Sequence, residues 1–267
     1  MSNPLNPQSG GPICRTEESL IPTGAEGAQP LRAAASRAGV FAPPSETTSA
    51  PPREVRLNYL VPADRLPRDD YRRAINNAAV HLQRFYAEQL GGSSFMLHSP
   101  AVGVFKTTHH ASFYSTNPAG EVKRHWFFNN VTTDGLALTG GRFFDDRFIW
   151  IFYIDAPHDP ATGGGAGASS VAALPREDLE GLIGNLGNVC RWVGGLGHEL
   201  GHALGLNHPP GCAANPSGPD CGSLMYLGYP NYPNTFFTGV HRALLSDNPF
   251  IKPVELTDPP FDCAGGL

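Results

Sequence analysis

The segment from Gly197 to Pro209 contains residues whose types and spacing suit metal chemistry. His198 and His202 are four residues apart, so on an α-helix both imidazoles lie on the same face, about one turn from each other. Glu199 follows the first histidine and is rotated away from that face. The spacing therefore predicts two arms of a chelate with a carboxylate beside them.

A third histidine, His208, can complete the set only if the chain bends sharply after the helix. Gly205 can adopt the left-handed backbone conformation that ends helices, and Pro209 cannot extend one. Such a bend would bring His208 back to the first two histidines. Three neutral imidazoles with one open position are expected of catalytic zinc, whereas structural zinc usually has four protein ligands.

Glu199 is the candidate general base. Zinc lowers the pKa of a bound water to about 7, and an adjacent carboxylate can take its proton as the water attacks a carbonyl. The chemistry predicted is hydrolysis of a peptide bond. On an ordinary polar helix the histidines would have only structural roles. The glycine at the bend and the third histidine in register favour the catalytic interpretation.

The complete pattern resembles the metzincin clan of zinc metallopeptidases. The signature H-E-x-x-H-x-x-G-x-x-H is matched at every fixed position, by His198, Glu199, His202, Gly205 and His208. Metzincins also carry a methionine in a tight turn beneath the zinc, and Met225 resembles that Met-turn residue. The resemblance implies an α+β, zincin-like fold, in which a mixed, twisted β-sheet and two long helices lie above a smaller C-terminal subdomain.

Two details are similar to different metzincin groups. The run M-Y-L-G-Y from Met225 to Tyr229 resembles the matrixin pattern M-Y-P-x-Y, with Leu227 where proline is usual. Pro209 resembles the serralysins, but their calcium repeats have no match here, and Leu227 stands where they have a zinc-binding tyrosine. We interpret the chain as matrixin-like. By that resemblance, Tyr229 would help to wall the pocket for the substrate side chain after the scissile bond.

Composition limits the partners. The chain has 267 residues and 40% hydrophobic content, enough for a substantial core. Its net charge of −5 argues against nucleic acid as a partner. No apolar run is long enough to span a membrane, and the first residues lack the pattern of a signal peptide. The expected partner is a peptide or protein substrate, and we expect a monomer.

The five cysteines leave the redox state open. Cys212 and Cys221 bracket a loop after the third histidine, and a disulfide there would stabilise the fold by about 2 to 3 kcal/mol in the chain-entropy model. Cys190 and Cys263 can pair likewise, which leaves Cys14 odd. Disulfides would favour an extracellular protein over a cytoplasmic one. Five reduced thiols are the alternative.

Residues 1–53 are rich in Pro, Ser, Gly and Ala, a composition typical of a disordered tail or linker. Cys14 suggests latency, because a propeptide thiolate blocks the zinc in matrixins. The surrounding P-I-C-R-T-E departs from the matrixin pattern P-R-C-G-x-P-D, so an inert tail is the default. The catalytic domain is expected over residues 54–267, with an upper subdomain of about 54–205 and a lower one of about 206–267.

Hydrophobic periodicity predicts the elements that must position the site. Alternation predicts a strand over residues 55–61, and apolar residues at helical spacing predict a long helix over 69–90. Further strands are predicted near 102–106, 124–129 and 147–154. The last is apolar on both faces and is expected to be central in the sheet.

Around the motif, helices are predicted over residues 178–183, 188–204 and about 235–245. The metzincin resemblance implies that one strand of the sheet borders the cleft and pairs with an extended substrate, and the segment 163–171 is the expected rim. Four glycines of the active-site helix each cost about 1 kcal/mol relative to alanine. A close approach by the sheet or by substrate would explain them.

Other side chains are candidates for further sites. They are His109, His110, His125 and His158 for a second metal, and Asp145, Asp146, Asp155 and Asp159 for calcium. No ligand spacing supports either, so solvated turns are the preferred interpretation. Asn130, in Asn-Val-Thr, matches the pattern of a glycosylation acceptor.

Two alternatives compete with a zinc endopeptidase. One is a binding protein that keeps zinc to hold its fold and has lost turnover, although the intact Glu199 argues against it. The other is a zinc hydrolase acting on a small non-peptide amide, which substrate profiling would distinguish.

Overall fold

The computed structural model describes residues 52–161 and 164–256 together with Cys263. The strands are β1 Glu54–Val61, β2 Ser93–Phe95, β3 Leu97–Lys106, β4 Phe148–Ile154, β5 Ala166–Ala168, β6 Val171–Leu174 and β7 Ile251–Pro253. The helices are α1 Asp69–Gln89, α2 Phe113–Thr116, α3 Trp126–Thr139, α4 Arg176–Leu182, α5 Val189–Ala203 and α6 Gly239–Ser246. Cys14 and nearly all of the predicted tail lie outside the described residues.

The main sheet has five strands in the order β3-β1-β4-β6-β5. All neighbours are parallel except β5, which runs antiparallel to β6, so the sheet is mixed as predicted. β4 is the central strand and is buried on both faces, which confirms the expectation from its apolar sequence. β5 ends the sheet, and no described strand pairs with its outer edge.

The long helix α1 covers one face of the sheet. Its buried residues recur at helical spacing and include Tyr71, Ile75, Ala78, Leu82 and Phe85. They share one core with β1, β4 and α5. Gly91 and Gly92 follow the helix with φ angles of 63° and 94°, which glycine adopts without strain. The predicted helix is confirmed to within one residue at its C-terminal end.

The predicted strand over residues 124–129 is wrong, because this segment forms a 3-10 turn, Lys123–His125, and the start of α3. Aromatic and β-branched residues favour strands, but Phe127 and Val131 are four residues apart and both bury against the second face of the sheet. Gly135 approaches Phe152 so closely that a Cβ there would lie 2.7 Å from the ring. Packing on the sheet therefore determines the helix, and α3 is a third substantial helix beyond the two expected.

Asn130 of α3 is not available as a glycosylation acceptor in the folded protein. Its side chain is 5% exposed. The Nδ2 group donates to the carbonyl oxygens of Tyr114 and Asn117, at 3.2 and 2.8 Å. Asn130 thus has a structural role, fastening α2 and the turn after it to α3.

The chain after α5 contains few regular elements. α6 begins at Gly239, four residues later than predicted, because Thr238 caps it by accepting from the backbone N–H of His241. β7 pairs with β2 and so joins this part of the chain to the end of α1. Among the described residues, no helix is both long and apolar enough to cross a lipid bilayer.

Two disulfides are formed, Cys190–Cys263 and Cys212–Cys221. These are the two pairings that the sequence left open beside reduced thiols. Cys190 lies in the first turn of α5, so its bond ties a distant C-terminal residue to the start of the active-site helix. The second bond closes a short loop after the third histidine.

Candidate metal centre

The helix α5 carries His198, Glu199 and His202. Its glycines mark places where other parts of the chain come close. A Cβ at Gly197 would lie 2.8 Å from Leu82 of α1, and one at Gly194 would overlap the backbone oxygen of Tyr229. The glycines at these two positions are therefore explained by the close approach of α1 and of the loop beneath the helix. The sequence alone predicts that the sheet or a substrate approaches there.

Gly205 produces the bend that the sequence predicted. It follows the helix with a φ angle of 92°, in the left-handed region. Its N–H donates to the carbonyl of His202 at 2.9 Å, and the N–H of Leu206 donates to that of Gly201 at 2.9 Å. The helix is thereby closed, and the chain turns so that His208 faces the other two histidines.

The three histidines converge on one point. The Nε2 atom of His202 lies 3.1 Å from that of His198 and 3.1 Å from that of His208, and the third distance is 3.3 Å. Tetrahedral zinc with Zn–N distances of 2.0–2.1 Å places its nitrogens about 3.3 Å apart. The distances between the three Nε2 atoms therefore match the spacing of nitrogen ligands around zinc. Among the described residues, His198, His202 and His208 form the group whose ligand atoms lie close enough together to hold a metal ion.

The protonation of these rings supports the same conclusion. His198 donates from Nδ1 to the Leu224 carbonyl at 2.9 Å, and His202 donates from Nδ1 to the Leu206 carbonyl at 2.8 Å. Burial lowers the pKa of His198 well below its ordinary value, lowers that of His202 to about 4, and lowers that of His208. The rings are therefore neutral at pH 7, and those of His198 and His202 present bare Nε2 lone pairs. Two unprotonated ring nitrogens at this distance repel each other unless a cation lies between them.

Glu199 lies against the edge strand β5 and is 7% exposed. A Cβ at Gly165 would lie 3.1 Å from Glu199 Cγ. A Cβ at Gly167 would overlap the Glu199 backbone oxygen and lie 3.1 Å from His202 Cβ. Only glycine permits this approach between strand and helix. β5 lies within the segment predicted to rim the cleft, although residue 163 of that segment is outside the described part.

Met225 lies directly beneath the candidate ligands. It is completely buried. Its Sδ atom takes the space that a Cβ at Gly201 would need. The preceding residue, Leu224, accepts the Nδ1–H of His198. Met225 therefore packs against the helix that carries His198 and His202.

Two tyrosines flank the histidines. The ring of Tyr229 is 5.4 Å from that of His198, and the ring of Tyr226 is 5.5 Å from that of His208. Tyr226 also shares a small buried cluster with the Cys212–Cys221 disulfide. The third histidine therefore packs on a ring that a covalent loop supports.

The other candidates from the sequence have structural partners. These are Asp134 for His109 at 2.9 Å, Trp150 for Asp145 at 3.0 Å, Arg142 for Asp146 at 2.7 Å, Arg176 for Asp155 at 2.6 Å, Lys123 for Asp159 at 2.7 Å, Arg124 for His125 at 3.1 Å and Glu177 for His158 at 3.2 Å. None of them, nor His110, joins a group with metal-ligand spacing in the described residues. Neither a second metal site nor a calcium site is indicated there.

Sequence reasoning missed the residues that hold the bend. His241 of α6 donates from Nε2 to the Asn207 carbonyl at 3.0 Å, and Asn248 donates from Nδ2 to the Leu204 carbonyl at 2.9 Å. No motif signals these residues, since they lie far downstream. Gly167 was also missed, although a short Ala-Gly-Ala strand is a sign of close backbone approach.

No model of a known protein family matches the chain, and no curated protein matches it. Among solved structures, catalytically inactive OgpA from Akkermansia muciniphila, in complex with an O-glycopeptide (glycodrosocin) substrate, matches with a TM-score of 0.53 at 20% identity. The match covers 76% of this chain and 62% of that one. The chain therefore spans less than two thirds of that structure.

Wild-type OgpA matches with a TM-score of 0.49 at 21% identity, over 76% of this chain and 62% of that one. Archaemetzincin from Methanopyrus kandleri matches with a TM-score of 0.37 at 18% identity, over 73% of this chain and 94% of that one. The likeness to inactive OgpA shows a shared fold. The α+β, zincin-like metallopeptidase fold predicted from the sequence is confirmed.

Proposed function

We propose that the protein is a zinc-dependent endopeptidase of the metzincin clan, with a matrixin-like Met-turn at Met225. The observation that carries the proposal is the convergence of three Nε2 atoms within 3.3 Å beside Glu199. His198, His202 and His208 would hold one zinc ion. When bound, zinc supplies a Lewis acid and lowers the pKa of a coordinated water to about 7.

Glu199 is the proposed general base and general acid. Its carboxylate takes a proton from the attacking water as the new C–O bond forms at the substrate carbonyl. It then delivers that proton to the leaving amine as the C–N bond breaks. The close approach of Gly165, where a Cβ would lie 3.1 Å from Glu199 Cγ, supports a fixed position for this side chain.

The free edge of β5 is the proposed binding surface for an extended peptide. Backbone groups at a sheet edge pair with a substrate strand, while pockets read alternate side chains. Tyr229, beside His198, would form one wall of the pocket for the residue after the scissile bond.

Several wider features belong to the same proposal. The two disulfides support an extracellular setting. We further propose a monomer divided into an upper subdomain of about 54–205 and a lower one of about 206–267. Because OgpA was solved with an O-glycopeptide, O-glycosylated peptides belong among the first substrates to test.

The decisive experiment combines metal content with cleavage of a peptide library, with and without O-glycans, in the presence and absence of a chelator. We expect about one zinc per chain and cleavage that the chelator abolishes. Glu199→Gln should retain zinc and lose at least about 100-fold in rate. Glu88→Gln, at an exposed position of α1, is the matched control and should cleave normally.

Other outcomes discriminate the alternatives. Zinc binding without cleavage of any peptide by the wild type would favour the binding protein. Turnover of small amides alone would favour the amide hydrolase. Absence of zinc binding would refute the proposed site.

A further inference from the structure

The three candidate ligands are held in two different ways. His198 and His202 each donate their own Nδ1–H to a backbone carbonyl, which fixes the plane of the ring. Such outer partners are almost universal for metal-binding histidines, and their loss weakens metal binding. For His208, no hydrogen bond to Nδ1 is formed within the described part of the chain. Its orientation must depend on other constraints.

The backbone before His208 supplies one of these constraints. His241 is 4% exposed and donates from Nε2 to the carbonyl of Asn207, the residue immediately before the ligand. A carbonyl can only accept, so the proton of the neutral ring lies on Nε2. Its Nδ1 atom is buried and has no hydrogen-bond partner among the described residues, so the bond to Asn207 fixes the tautomer.

The helix that carries His241 is itself anchored. Thr238 caps α6, and the turn after the helix brings Asn248 to the Leu204 carbonyl at the other end of the bend. Two side chains thus hold carbonyls on either side of Gly205. Such contacts are needed to fix the backbone conformation of the bend, because glycine can adopt the widest range of conformations.

We infer that His241 is a positioning residue for the third metal ligand, and that it acts by holding the Asn207 carbonyl so that the His208 ring faces the other two. The inference rests on the proposed metal site. His241 performs for His208, through the backbone, the function that the Nδ1 bonds perform for His198 and His202.

The test compares two amides at position 241. Glutamine places its amide nitrogen near the position of histidine Nε2, and asparagine places it near that of Nδ1. His241→Gln therefore keeps the bond to Asn207, whereas His241→Asn loses it, with the same functional group in both. Asn130→Leu is the control, because it removes a buried donor to two backbone carbonyls on the opposite face of the sheet.

Zinc affinity is measured by competition with a chromogenic chelator, and site geometry by the visible spectrum of the cobalt-substituted protein. We expect His241→Asn to weaken zinc binding about 10-fold and to alter the cobalt spectrum. His241→Gln should stay within about threefold of wild type. Asn130→Leu should lower the melting temperature and leave both metal readouts unchanged.

The outcomes separate this inference from the function it rests on. If the wild type binds zinc and His241→Asn binds it equally well, the role of His241 is refuted and the metal site stands. If glutamine weakens binding as much as asparagine, the bond to Asn207 is not the cause. A wild type that binds no zinc refutes the metal site itself.

Discussion

The sulfur of Met225 occupies the space that a side chain at Gly201 would need. A Cβ at position 201 would overlap Sδ and lie 2.9 Å from Cε. Gly201 precedes the ligand candidate His202, so the helix rests on the methionine at the level of the histidines. The pairing explains why this position has no side chain despite the low helix propensity of glycine.

Gly201→Ala should therefore destabilise the protein. In an unobstructed helix alanine would add about 1 kcal/mol of stability, but here we expect a loss of about 1 to 3 kcal/mol because Met225 must move. Gly195→Ala is the control in the same helix, since the one described atom that its Cβ would meet within 4 Å is Asp178 Oδ1, at 3.4 Å. Urea unfolding of the metal-free variants measures both. Equal gains at the two positions would contradict the close packing.

Gly167→Ala should impair catalysis without removing the metal. The new Cβ would push β5 away from Glu199, and a displacement of about 1 Å near a reacting group lowers the rate about 100-fold. Gly164→Ala is the control, because no atom that the structure describes outside its chain neighbours lies within 4 Å of its Cβ position. The measurements are kcat/KM and zinc content. Unchanged cleavage by Gly167→Ala would show that the spacing of β5 does not matter.

Removal of each disulfide should have a different effect. The chain-entropy model predicts a loss of about 4.4 kcal/mol without Cys190–Cys263 and about 2.6 kcal/mol without Cys212–Cys221. The separations are 73 and 9 residues. Only the shorter loop supports Tyr226 beneath His208, so only its double serine variant should also bind zinc more weakly. Chemical unfolding and chelator competition check both expectations.

The raised pKa of Asp178 predicts that the stability of the protein depends on pH. Burial, followed by the charge of Glu177, raises the pKa of Asp178 from its ordinary value of 3.8 to about 7, against the smaller effects of His158 and Arg191. The folded state therefore binds this proton more tightly than the unfolded state, and stability falls as pH rises from about 4 to about 7. The slope is up to about 1.4 kcal/mol per pH unit.

Asp178→Asn should remove this dependence. The advantage of the variant over wild type is expected to be larger at pH 8 than at pH 5 in urea unfolding of the metal-free proteins. Asp146→Asn, at a side chain that is 70% exposed, should show no such trend. A constant difference between Asp178→Asn and wild type would mean that Asp178 ionises normally in the folded protein.

The histidine triad could be predicted because its geometry is local. Helical spacing sets His198 against His202, and the glycine at 205 sets the bend that returns His208. What supports the triad is not local. The carbonyl that receives His198 Nδ1–H is 26 residues away, and His241 is 34 residues from Asn207. Spacing within a motif carries no information about such partners.

The upstream fold shows the same limit. Strands β1 and β4 and helix α1 have strong periodicity and were predicted closely. α3 was not, because Phe127, Phe128 and Val131 have the composition of a strand and become helical by packing on the far face of the sheet. There the tertiary contacts override local preference.

The three-residue length of β5 has one more consequence. A strand of three residues can form few backbone hydrogen bonds with a bound peptide. The register of the peptide on β5 is therefore weakly fixed. An extended chain lying on it can slip by two residues with the same side chains facing inward. The point of scission should then follow the side-chain pockets, and a peptide with equivalent residues two positions apart should be cut at both.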